Sequence, residues 1–550
     1  MAKNYKPFYL LLFVLALMVN FIGINADFFT DDPGLYASIA KNMLYKHDVL
    51  QLFTYNTDWL DKPHFPFWAV LVSFKIFGVS AWAYRLPALL FFLLSLLYTY
   101  LFARRFYTKE IALTAVLILM TAQHILLSNL DIRAEPYLLA LIIGSIYHIA
   151  RYNDKPIAKH LLLAALLTAC AIMTKGIFVI VAIYGALLGQ FIFQKKFLQL
   201  FYPKWLLLYV LTFLFTIPEV YALYAQFDAH PEKTVFDRQN VSGIKWFLWD
   251  SQFGRFINQG PIQQKKGGDK FFFIHTLLWA YLPWCLLFYY ALYKSFKSIW
   301  RKVTLPEYYT LSGGLLLLIL FSLSGFQLPF YTNILFPLFA IITAPYCFVQ
   351  LSKAGENYRK IVLLLFAIAL PMIIIAIHVF AKPASNLLFI TAVVLFGSIA
   401  AAISLKVKEI AYKVFMLTCC SVLFANFYLN TVFFPLVASY NGQIPAARYA
   451  SQPQFADAKL YTLRMSNNSF QFYSNRPVQF VPLEGFKDFK PAGKALFFAS
   501  QASVDYLTNA HANFKVVKLF IDYPQENMLP KFINSATRSQ VVSKAYLISK

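Results

Sequence analysis

The sequence predicts a polytopic α-helical membrane protein with about thirteen transmembrane helices and a small extracytoplasmic α/β domain at its C-terminal end. Three observations carry this. Of the 550 residues, 59% are hydrophobic, 18% aromatic and only 13% charged, and the mean hydropathy is +0.57, a composition that excludes an ordinary soluble domain. Apolar runs approaching the roughly 20 residues that a spanning helix needs recur near 8–26, 85–103, 111–128, 136–150, 160–173, 176–193, 204–223, 271–293, 307–323, 329–350, 361–381, 385–405 and 413–435. The Lys and Arg residues behind the net charge of +24 gather in the short connections between these runs, in "RRFYTKE", "RYNDKPIAKH", "QKK", "KSFKSIWRK", "KAGENYRK" and "KVKE". There they set orientation and do not form a nucleic-acid patch.

Taken in chain order, the first run follows the basic "MAKNYK" and lacks a small-residue cleavage pattern, so it reads as an uncleaved helix with a cytoplasmic N-terminus. Strict alternation then puts every basic connection inside, and residues 27–84, 224–270 and all after about 436 outside. This divides the chain into a membrane domain, 1–435, and an extracytoplasmic domain, 436–550. In the first outer piece "PGLYASIAKNMLYKH" has Leu35, Ile39 and Met43 on one helical face, and "AVLVSFKIFG" is a second short amphipathic stretch. Both are expected at the membrane interface. In the last piece "KLYTLRM", "KALFFAS", "FKVVKLFI" and "KAYLIS" read as strands and "SVDYLTNAH" as a helix. The five cysteines all lie in apolar stretches without metal-ligand spacing. No glycine-rich phosphate loop or DxD sequence points to a nucleotide site.

Ionisable residues beside a bilayer are costly, and the outer loops hold several. Asp31 and Asp32 begin the first interfacial helix, where the helix dipole favours a carboxylate; an N-cap accounts for one of them and leaves the other for proton abstraction. Lys62 in "DKPHFPFW" lies between the two interfacial helices, where a lipid-borne phosphate would present its charge. Arg85, heading the second run, serves either that phosphate or an interfacial anchor beside Trp82 and Tyr84. "SNLDIRAEPYLL" brings Asp131, Arg133 and Glu135 to the same face, as a salt-bridged group or as part of a site. Lys175 in "MTKGIF" has little access to bulk water and suits a bound anion. Arg255 belongs to an aromatic amphipathic loop that covers a site or lies on headgroups, and Gln327 and Tyr331 come from "SGFQLPFYTN". An ion transporter would instead place its charges at mid-membrane, where Glu219, His124, His148 and His378 are few and read as core residues.

The order "DDPGLYASIAKNM", "DKPHFPFWAVLVSFKIFGVSAWAYRLPAL", "TKG", "FGRFINQG…GGDKFFFIHTLLWAYLPW" and "SGFQLPFYTNILFPLFA" resembles the polyprenyl-phosphate-dependent glycosyltransferases of the GT-C superfamily. Lipid A aminoarabinose transferases and protein O-mannosyltransferases are the similar members. The resemblance implies transfer with inversion of a sugar from polyprenyl (undecaprenyl) phosphate to lipid A, a protein or an envelope glycan, outside the bacterial inner membrane. It implies a catalytic carboxylate at Asp31, with Asp32 as the alternative, a second acidic element at Asp131, and a phosphate held by Lys62 with Lys175 and Arg255. No cofactor is required; some members bind a divalent metal, which this sequence neither demands nor excludes. The chain departs from the pattern in having Asp-Asp where relatives have Asp-Glu, an extra residue before Tyr36, His64 where a second proline is usual, and Gln327 where a Lys is common. The competing expectations are a polyprenol-linked glycan transporter or polymerase, and a membrane-anchored receptor whose C-terminal domain does the work.

Overall fold

Helix α1 (Lys6–Phe21) is followed by an extended stretch, Asp27–Thr30, that turns into helix α2 (Asp31–Lys46). In the computed structural model, which describes residues 5–265, 267–523 and 529–550, α2 ends at His47 in the left-handed conformation. Residues 1–4, part of the "MAKNYK" segment, lie outside the described residues. The expected apolar face of α2 is real: buried Ile39 and Met43 pack with Leu52, Phe67 and Leu71, and Leu35 lies against them. Phe67 and Leu71 belong to α3 (Phe65–Phe77), whose opposite face leaves Val72, Ile76 and Phe77 exposed.

Each predicted apolar run falls on helical backbone, yet fewer meet the length and apolarity needed to cross a membrane. Among the described residues seven do so outright: Ala81–Phe106, Ala158–Lys175, Pro203–Asp228, Pro329–Cys347, Lys353–Ala381, Asn386–Lys406 and Ile410–Ala438. Lys109–Thr121 and Gln123–Leu130, bent by 57° between them, make an eighth if they are taken as one span. The other runs are short (Lys6–Phe21, Ile177–Phe193, Tyr309–Leu323), carry charge at their ends (Glu135–Asp154) or are split (Phe272–Ala280 and Cys285–Trp300). A sequence window passes over such breaks because composition does not reveal where backbone hydrogen bonding stops. The bend at Ala122 is held open from outside, since the Gln123 N–H donates to Leu282 O at 2.9 Å and its side chain exchanges hydrogen bonds with Asn426.

A five-stranded mixed sheet follows residue 458, in the order Val478–Phe480, Lys459–Thr462, Ala495–Ser500, Ser543–Ser549, Lys515–Asp522. The first three are mutually parallel and the last two join antiparallel. Four of these strands and the helix Gln501–Asn509 coincide with the sequence expectation. The three-residue strand Val478–Phe480 and the helix Asn468–Tyr473 were too short to carry a periodicity.

That short helix lies directly on α2. A Cβ on Gly34 would come within 2.9 Å of Ser469 N, so the approach requires glycine. Lys41, buried in the contact, donates to the carbonyls of Gln471, Phe472 and Ser474, and burial pushes its ammonium down to about 7. Arg448 forks onto Asp27 at 2.7 and 3.0 Å.

Candidate active site

Thr30 is the residue preceding α2, but it makes no side-chain cap; its hydroxyl donates to Asp131 instead. The two acids that follow diverge. Asp31 accepts from the backbone N–H of Asn468 at 3.2 Å and from its side-chain amide at 2.5 Å. Asp32 pairs with Arg133 Nη1 at 2.7 Å, and the same guanidinium reaches Asp131 through Nη2 at 3.1 Å. Burial works against the Arg133 charge, but Asp131, Asp32 and Glu135 outweigh it and raise the group above its ordinary value. The pair thus does not act as a plain N-cap: one acid is gripped by the C-terminal part of the chain, the other by the turn before Glu135–Asp154.

A second charged group faces them. Asp61 and Lys62 occupy the bend before α3 and pair at 2.7 Å, and Arg255 closes onto Asp61 from the helix Ser251–Phe256. Burial would raise the Asp61 carboxyl, but the Lys62 and Arg255 charges hold it at about 2. Burial, then the adjacent Arg255 charge, push the Lys62 ammonium down to about 8 against the pull of Asp61. The bend itself is clamped by His64, whose N–H donates to Glu219 Oε2 at 2.9 Å and whose ring nitrogens lie 2.9 Å from Glu219 Oε1 and 3.0 Å from Leu50 O. His64 therefore fixes by side-chain bonding the turn that a second proline would stiffen. Lys175 ends its helix against Gly176, at φ 108°, where a Cβ would strike Gln252. It is ion-paired with Glu135, both almost fully buried, and lies 4.3 Å from the Tyr331 ring centre.

These groups line three cavities that share walls. An acid chamber of about 470 Å³ takes Asp31, Asp32, Asp131, Glu135, Arg133 and His124 among its lining. Asp32, Arg133, Glu135, Leu328 and Phe330 also line a cationic chamber of about 160 Å³, with Asp61, Lys62, Lys175 and Arg255. Lys175, Arg255, Phe326 and Tyr331 in turn open into an apolar groove of about 430 Å³ walled by residues such as Ile180, Val181, Phe253 and Phe321. Acid, cation and hydrocarbon surfaces thus follow one another without a gap.

Of the residues selected from sequence, Asp31, Asp32, Lys62, Asp131, Glu135, Lys175, Arg255 and Tyr331 line this series. Arg85 and Gln327 do not. Fully buried Arg85 donates to the carbonyls of Leu130, Ile24 and Ala26 at 2.9, 3.0 and 2.6 Å, tying the end of one bent helix to the exit of α1. Gln327 is spent on backbone: its amide donates to Asp269 O at 2.9 Å and its oxygen accepts from Asp269 N at 2.8 Å, joining two outer loops. An interfacial arginine and a loop glutamine look the same in sequence whether they face a ligand or a carbonyl. Sequence reading also passed over Asp61, although it adjoins Lys62, and over Thr30, Asn333 and Asn468; His124, read as a core residue, lines the acid chamber. Asn468 stands 437 residues from its partner and carries no local signal. Among the described residues no three His, Cys, Asp or Glu side chains converge as a metal site.

Residues 61–221 match the family model described as dolichyl-phosphate-mannose-protein mannosyltransferase. An uncharacterized protein of Aquifex aeolicus strain VF5 is 27% identical over 364 residues, 65% of this chain and 67% of its own. The fold is similar to that of ArnT from Cupriavidus metallidurans, solved bound to undecaprenyl phosphate (TM-score 0.75) and in the apo state (0.74). Each of the two is 17% identical and covers 100% of this chain and 98% of that one. Residues 61–221 are thus similar to that mannosyltransferase family, and the fold along the chain is similar to that of ArnT.

Proposed function

We propose that the protein transfers a sugar, with inversion, from polyprenyl (undecaprenyl) phosphate to an acceptor outside the inner membrane. The observation that carries this is the cationic chamber set between an apolar groove and an acid chamber. The prenyl chain lies in the groove, and the phosphate meets Lys62, Arg255 and Lys175. Arg255 Nε, buried and without a partner among the described residues, supplies a further donor. ArnT, bound to undecaprenyl phosphate in its own structure, supports this type of donor.

The sugar's anomeric carbon then falls at the shared wall, beside Asp32, the aspartate of the Asp31–Asp32 pair that borders both chambers. The acceptor oxygen attacks from the acid side, the bond from carbon to phosphate oxygen breaks on the cationic side, and the acceptor's proton passes to Asp32. Attack and departure on opposite faces invert the centre. Arg133 holds Asp32 in place by their ion pair, and the cations neutralise the leaving phosphate, so no protein nucleophile is needed.

The same reading keeps thirteen crossings, a cytoplasmic N-terminus and all three cavities on the periplasmic face. It keeps a membrane domain of 1–435 and an extracytoplasmic domain of 436–550, the latter holding Asp31 through Asn468.

Two substitutions test the assignment in purified protein supplied with donor lipid. Asp32→Asn is expected to lower the transfer rate by roughly 10²–10⁴-fold with folding and donor binding retained; full activity would remove Asp32 from the chemistry. Asn468→Ala is expected to lower the rate by about tenfold, the effect of losing one charged hydrogen bond, without altering membrane insertion. An unchanged rate would show that the Asp31 contact only joins the two parts of the chain.

A further inference from the structure

The acid chamber bears on the chemistry of the acceptor. Asp31, Asp32, Asp131 and Glu135 line it against Arg133 and His124, and Lys175, the partner of Glu135, opens on the other side of the wall. Both terminal nitrogens of Arg133 are held by carboxylates. An anionic acceptor entering here would meet an excess of negative charge and would have to displace Asp32 or Asp131 to reach a cation.

At the chamber wall His124 Nδ1 lies 2.6 Å from Asn333 Oδ1. Asn333 is 1% exposed, and its Nδ2 has no hydrogen-bond partner among the described residues. A buried donor left without an acceptor is costly, and a ligand oxygen at this point removes the cost. The ligand must therefore accept from Asn333 while facing carboxylates that only accept. A hydroxyl does both; an ionised phosphate only accepts. One serine or threonine hydroxyl meets the amide and a single carboxylate, whereas a sugar presents several hydroxyls and reaches further carboxylates as well. The volume of about 470 Å³ lies within the range of about 300–1,000 Å³ usual for small-molecule sites.

We infer that the acceptor is an uncharged sugar hydroxyl, bound through Asn333 and the chamber carboxylates, and that the product is a glycosidic bond between two sugars. This rests on the glycosyl-transfer reading above. In the step, the acceptor O–H gives its proton to Asp32, its oxygen bonds the anomeric carbon, and polyprenyl phosphate leaves with the electron pair of the broken bond.

The test compares a strain lacking the gene with the same strain complemented by the wild-type chain or by Asn333→Ala. Polyprenyl-phosphate sugar is measured by mass spectrometry of extracted lipid, and the linkage of the missing sugar by methylation analysis, ³¹P NMR and β-elimination. Donor accumulation with loss of a sugar-to-sugar linkage is expected. In membranes from the complemented strains, Asn333→Ala should raise the acceptor concentration for half-maximal rate about tenfold and leave that for donor lipid unchanged. Donor accumulation with loss of a glycosyl phosphodiester, or of a β-eliminable peptide-linked sugar, overturns the inference and leaves the transferase reading standing. An unchanged acceptor requirement in Asn333→Ala removes Asn333 from the site and overturns it as well. No donor accumulation and no missing sugar overturn both.

Discussion

Replacing Lys62 with alanine is expected to reduce sugar transfer by about 10²–10³-fold, the usual cost of removing one donor aimed at developing negative charge. The loss should be large because Arg255 and Lys175, which also meet the phosphate, each already serve a carboxylate and cannot make up the missing charge. Arg255 is committed to Asp61 and Lys175 to Glu135, and removing the Lys62 ammonium leaves Asp61 with one cation fewer beside the incoming phosphate. The same lysine sets a pH dependence. Its ammonium, lowered to about 8, is protonated at neutral pH and loses its proton as pH rises through that value. The kcat/KM for donor lipid should therefore fall above about pH 8, since this parameter follows the free enzyme. Lys62→Arg, charged throughout, should keep part of the activity and flatten that alkaline limb. A profile still falling near pH 8 in Lys62→Arg would assign the limb to another group.

Arg85→Ala is the second large effect, and it concerns stability. Three carbonyls, of Leu130, Ile24 and Ala26, would lose their donor in a dry environment. At roughly 1–3 kcal/mol for each stranded group, the protein should lose about 3 kcal/mol or more, seen as a lowered midpoint of thermal unfolding in detergent. The surviving folded fraction should transfer sugar within about twofold of the wild-type rate. An unchanged midpoint with lost activity would return Arg85 to the substrate.

The sequence carried the interfacial helices, the helical nature of the apolar runs and four strands, because each rests on a periodicity that composition displays. It also carried most of the charged residues around the cavities, since an ionisable side chain at a membrane face is conspicuous by cost alone. It could not say which of them face one another. Lys175 reads as a lone cation waiting for an anion, but folding supplies Glu135 from 40 residues away. Asp131, Arg133 and Glu135 read as a salt-bridged group or as part of a site; Arg133 does pair with Asp131, but it also reaches Asp32, while Glu135 turns to Lys175. His64 looked like a departure from the family pattern, and its meaning emerges only with Glu219, 155 residues later. Such pairings are set by tertiary distance, to which local spacing is blind.

The grip of Asn468 on Asp31 also orders events during synthesis. A growing polypeptide that has not yet delivered residue 468 already contains Lys62, Lys175 and Arg255, but its first acidic helix still lacks the amide that holds it. The start of that helix therefore acquires this contact only after the last part of the chain has been made and has docked.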